Sequence, residues 1–195
     1  MARVKYQKAA KDYPASGIKK GDMYYYVRIK TGPRSSRQMR QLTPFKPSQL
    51  TTSDYLSQAY ALQERFNDLT DLTTLEEDLN GLAEEARDLG QEQQDKYDNM
   101  PEGLQQGGTG ELLEQRAQAM ESWADSLEQA ASSANEKLPE YEDNQKAWAE
   151  YKEAAEREND EDGEDGVVAE PDDPELDLDE LVEEIKSEVE EPDLS

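Results

Sequence analysis

The stretch Leu75-Glu76-Glu77-Asp78-Leu79-Asn80-Gly81-Leu82-Ala83-Glu84-Glu85-Ala86-Arg87-Asp88-Leu89 places leucine or alanine at residues 75, 79, 82, 86 and 89. Steps of four and three return to one face of a helix with 3.6 residues per turn. The pattern predicts an amphipathic helix over 75–98, with Gln93 and Tyr97 extending the stripe. Residues 100–110, rich in Gly and Pro, then break it. Beyond the break, Leu113, Arg116, Met120, Trp123, Leu127, Ala130 and Ala134 repeat the spacing. They predict a second helix over 110–137, with Thr109 as its cap and Pro139 as its interruption. Two helices of about 25 residues are each about 37 Å long. With one apolar seam apiece and a short connection, they are expected to form an antiparallel, coiled-coil-like hairpin. A seam this narrow buries little, so a homodimer or a partner helix would complete the bundle.

Upstream, Thr52 or Ser53 caps a helix carrying Tyr55, Leu56, Ala59, Leu62, Phe66 and Leu69. The pattern slips at 70–74, where Thr73-x-x-Glu76 and Thr74-x-x-Glu77 both spell a capping box. Either a new helix starts there or one long helix carries a stammer. Downstream of Pro139, a last short helix is expected to hold Tyr141, Trp148, Tyr151 and Ala155. Trp123 and Trp148 read as core or interface anchors.

Residues 1–47 are different. Met23–Lys30 is rich in aromatic and β-branched residues and predicts a strand. Tyr25, Val27 and Ile29 fall on one face; Tyr24, Tyr26, Arg28 and Lys30 fall on the other. Arg37–Leu42 returns as a second strand, and Pro44 and Pro47 end the sheet. Two or three short strands are marginal alone.

The whole chain of 195 residues has a formal charge of −26, but residues 1–47 carry +10, residues 48–155 carry −18 and residues 156–195 carry −18. Such polarisation marks three segments: a basic β-hairpin head at 1–47, an acidic helical region at 48–155 and an acidic tail at 156–195. The fold class is therefore mainly α. Residues 158–174 read as disordered. The Glu158-x-Asp160-x-Asp162-Gly163 spacing opens like an EF-hand loop, but its twelfth position is Ala169, so it reads as a solvated linker. Over 176–190, Leu178, Leu181, Val182, Ile185 and Val189 share one face, the spacing of a peptide that docks in a groove as a helix.

Cys and His are absent, which excludes disulfides, Cys/His zinc sites and nucleophile–imidazole mechanisms. Paired carboxylates such as Glu76/Glu77 and Glu84/Glu85 lie off the seam and read as solvated. No phosphate-cradling GxxxxGK[ST] loop is present. The expectation is a non-enzymatic cytoplasmic protein without metal or cofactor. A mean hydropathy of −1.10 and the lack of any apolar run of about 20 residues leave no membrane-spanning segment.

Function points to the head. Arg28, Lys30, Arg34, Arg37 and Arg40 are expected around one hairpin, with Lys19 and Lys20 in the turn before it and Tyr24 and Tyr26 as stacking surfaces. Cations neutralise phosphates and exposed tyrosines stack on unpaired bases, so the expected partner is nucleic acid, with the acidic tail as regulator or recruiting arm. An assembly protein that binds other proteins through its hairpin and C-terminal peptide is the second reading. An acidic nucleic-acid decoy is the third.

Ala15–Tyr25, Pro47–Thr51, Asp98–Gln105 and Gly110–Arg116 occur in an order that resembles a family of small proteins encoded by tailed bacteriophages, over about residues 1–131. The resemblance implies a phage origin and a place in the host cytoplasm. It implies no activity and no site residues.

Overall fold

The computed structural model describes residues 3–160, 170–171 and 174–194. It divides into two compact units, residues 1–67 with the last two residues, and residues 68–193.

The first unit opens with a three-stranded antiparallel meander: β1 (Lys5–Lys8), β2 (Met23–Lys30) and β3 (Ser36–Gln41), in that spatial order. β2 has the bounds its composition predicts, and β3 starts one residue earlier than expected. β1 has no apolar alternation to announce it in the sequence, because all four of its side chains are exposed. The loop over 9–22 continues the β1–β2 ladder. Ala9 N–H donates to Asp22 O at 2.8 Å and Gly21 N–H donates to Ala9 O at 2.9 Å. Gly21 has φ 103°, a conformation that side-chain-bearing residues avoid. Ala9, Ile18 and Tyr24 are buried together there, with Tyr13 and Tyr26 against them. Pro47 then opens a single helical turn, α1 (Pro47–Leu50), and α2 (Asp54–Asn67) follows. Glu64 of α2 accepts both the amide and the hydroxyl of Ser48, at 3.0 and 2.9 Å. Of the two expected caps, Ser53 is used: its Oγ accepts from Leu56 N–H at 3.4 Å.

The second unit is helical. The slip at 70–74 is a true start: α3 (Leu72–Asp98) begins behind Asp71, whose carboxylate accepts from Thr73 N–H at 2.9 Å. The cap is therefore Asp71, not Thr73 or Thr74, and the helix gains a turn over the expected 75–98. A short α4 (Glu102–Gln105) bridges to α5 (Gly108–Asp160). Thr109 lies inside the first turn of α5 rather than capping it. Pro139 does not interrupt α5. It sits within a 53-residue helix, flanked by Glu136, Lys137, Leu138 and Glu140, all good helix formers that offset the lost N–H bond.

α3 and the first half of α5 pack together and run antiparallel. Arg87 meets Glu121, Asp125 and Glu128, while Gly90, one turn later, lies against Ala117 and Met120. Buried positions recur every seven residues on three lines in each helix: 75/82/89, 79/86/93 and 83/90 on α3, and 120/127/134, 123/130 and 117/124/131 on α5. Ala83, Gly90, Ala117, Ala124 and Ala131 supply the lines that the leucine stripe did not disclose. They are small, and they set the approach: a Cβ on Gly90 would sit 3.1 Å from Met120 Cβ.

α6 (Leu178–Ser187) packs on α5 and α3 and buries Val182 and Ile185. The 158–174 expectation falls largely outside the described residues, and so does the EF-hand-like spacing. Among the described residues no helix is long and apolar enough to cross a membrane.

Candidate functional site

Register assigns every side chain of the meander to a face, because directly paired residues point the same way. Tyr26 pairs with Lys5 and Arg40, Arg28 with Gln38, Lys30 with Ser36, and Tyr24 with Gln7. One face therefore carries Lys5, Tyr24, Tyr26, Arg28, Lys30 and Arg40. Arg37 pairs with Ile29 and lies on the opposite face, so the five hairpin cations do not share one surface.

At the hairpin tip, Arg28, Lys30 and Arg34 line a hollow of about 450 Å³ together with Gly32, Ser35 and Ser36. A neighbouring hollow of about 440 Å³ is lined by Arg3, Arg28 and Lys30, with Thr51 and Thr52. Among the described residues no carboxylate lines either hollow. Arg28 Nε donates to Ser36 Oγ at 2.8 Å, which fixes the guanidinium along the strand pair. Among the described residues Arg28, Lys30 and Arg34 form no ion pair.

Lys19 and Lys20 are exposed, but they sit beyond the Met23 end of β2. Seven steps of about 3.3 Å put that end roughly 23 Å from Lys30. The two acids of the head are spent in this loop: Asp22 accepts from Lys19 N–H at 2.8 Å and Asp12 from Lys20 N–H at 2.6 Å.

Tyr24 is a core residue, only 2 % exposed. Its hydroxyl accepts from Gln7 Nε2 at 2.6 Å. Burial pushes its phenol up, and bonds from Gln7, Tyr13 and Arg40 more than offset that, leaving it below the ordinary tyrosine range. Tyr13 is pushed up, first by its bond to Tyr24 and then by burial. Arg40 lies over the rings of Tyr13 and Tyr26, 4.8 and 5.1 Å from their centroids. Tyr24 and Tyr26 thus hold Arg40 and the 9–22 loop in place, and Tyr24 offers no ring to a base. Period-two reading assigned the face of Tyr24 correctly but could not foresee a loop folding over it.

The C-terminal face is occupied by its own chain. Val182, Ile185 and Val189 are buried, and Leu178 and Leu181 are half-buried. Lys137 pairs with Glu184 at 2.8 Å, Ser133 Oγ donates to Glu188 at 2.7 Å, and Lys152 pairs with Glu175 at 2.7 Å. The free docking peptide expected over 176–190 is instead an element of the fold, antiparallel to α5.

No family model, no curated protein and no solved structure matches this chain.

Proposed function

We propose that the protein is a non-enzymatic accessory factor that binds the phosphate backbone of nucleic acid through its sheet unit, in the cytoplasm of a phage-infected host. One observation carries this reading: Arg28, Lys30 and Arg34 converge on a hollow with no carboxylate in its lining. Unpaired cations in a concavity hold a strong positive potential, and phosphate is the anion that several cations neutralise at once. Arginine supplies a planar fork of donors suited to it, and the Ser35 and Ser36 hydroxyls add neutral donors. The helical unit acts as a spacer whose acidic outer surface keeps non-specific contacts off.

The test is fluorescence anisotropy of a labelled oligonucleotide with the full chain, at about 50 and about 200 mM salt. Binding at the lower concentration is expected. With three phosphate contacts it should weaken with a log–log salt slope of roughly −2 to −3. No binding of single strand or duplex at about 50 mM overturns the reading.

A further inference from the structure

The face of the meander opposite Arg28 and Lys30 carries aromatic surface of its own. Tyr6 pairs with Tyr25, and Lys8 with Met23. The Tyr6 and Tyr25 rings lie 4.7 Å apart between centroids, tilted by 38°. Tyr6 is 59 % exposed and Met23 43 %. The exposed Tyr6 ring packed on the half-buried Tyr25, with Met23 exposed on the same face, leaves apolar surface in water. The surroundings say what would cover it. Lys8 shares the face, Lys5 flanks Tyr6 on the same edge strand, and β1 has every side chain exposed. Both acids of this segment are engaged by backbone N–H groups of the 9–22 loop. An exposed ring with a cation on the same face and no free acid beside it suits an unpaired base with its flanking phosphate.

We propose that Tyr6, with Tyr25 against it and Met23 on the same face, is a stacking platform for an unpaired base, and that Lys8 takes an adjoining phosphate. The proposal rests on the nucleic-acid reading above and names its substrate class as single strands. The platform is built from register. Cross-strand pairing of Tyr6 with Tyr25 puts one ring against the other, so Tyr6 arrives already ordered, and stacking costs little side-chain freedom. A base pair inside a duplex presents no free ring face and gains nothing here.

The experiment compares three labelled probes on the full chain at about 50 mM salt: a thymine single strand, an abasic strand of equal length, and a duplex. Wild type is expected to bind the thymine strand more tightly than the abasic one. Tyr6→Ala should weaken the thymine strand by roughly 5- to 100-fold and leave the other two probes unchanged. Tyr6→Phe, which keeps the ring, should retain wild-type affinity. Equal binding of thymine and abasic strands by wild type overturns the platform and leaves the phosphate reading standing. So does a Tyr6→Ala loss that is equal on all three probes. Failure of every probe to bind overturns both.

Discussion

Asn144 on α5 holds the backbone around Leu176 from both sides: its Oδ1 accepts from Leu176 N–H at 2.9 Å, and its Nδ2 donates to Pro174 O at 3.0 Å. Gln145 Nε2 adds a bond to Leu176 O at 2.9 Å. This clasp fixes the start of α6, whose Asp177 caps it by accepting from Asp179 and Glu180 N–H. Asn144→Ala should loosen α6 without unfolding α3 and α5, and Ile185→Asp should detach it. Amide hydrogen exchange across 178–187 reads this. Protection there should fall in both variants while that of 75–93 persists. Unchanged protection in Ile185→Asp would mean that α6 is not held by its apolar face.

The approach of α3 to α5 makes its glycines inequivalent. Gly90→Leu adds bulk where Ala117 O and Met120 Cβ already stand within 3.2 Å of a Cβ, and should cost about 1–3 kcal/mol. At Gly81 a Cβ meets nothing within 4 Å, so Gly81→Ala should stabilise by up to about 1 kcal/mol through helix propensity. Chemical denaturation of the three proteins checks both signs. Leu82→Asp or Met120→Asp, each forcing a charge onto the buried seam, should destabilise more than any of these.

Gln93 is buried, and among the described residues its Nε2 has no hydrogen-bond partner. An unsatisfied buried amide costs about 1–3 kcal/mol. Gln93→Leu should therefore raise the thermal midpoint; a lower midpoint would show that the amide is satisfied in solution.

Glu128 titrates below the ordinary glutamate range, first because Arg87 hydrogen-bonds its carboxylate; Arg87 in turn is pushed up by Glu128 and Asp125. A depressed carboxylate adds stability that is complete above its unfolded value and disappears as pH falls through the folded one. Glu128→Gln should melt below wild type at pH 7, and the gap should close on acidification through the carboxylate range. Melting curves at several pH values measure it.

Much of this was legible in residue spacing. The leucine stripe over 75–89 located α3 and its face, and Met23–Lys30 located β2, because period 3.6 and period 2 are written directly in where apolar side chains fall. What escaped depended on contacts far apart in sequence. Ala117, Ala124 and Ala131 look neutral until a second helix arrives. Pro139 reads as a stop unless its neighbours hold the helix. The apolar face of 178–189 reads as a free peptide because spacing says that it docks but not where. At the site, the cations of the hairpin were visible from charge alone. The burial of Tyr24 and the exposure of Tyr6 were not, since the 9–22 loop that covers the one and the pairing of β1 that presents the other are contacts far apart in sequence.

The central claim is that the hairpin-tip cations hold phosphate, and it is tested most directly by Arg28→Gln/Lys30→Gln/Arg34→Gln in the full chain. Binding of a labelled single strand is measured against salt for this variant and for wild type. All three side chains reach the hollow at the tip, so the variant should keep its circular dichroism and lose affinity at every salt concentration. Its log–log slope should flatten by roughly two, about 0.7 for each phosphate contact removed from a single strand. An unchanged affinity and slope would contradict the account.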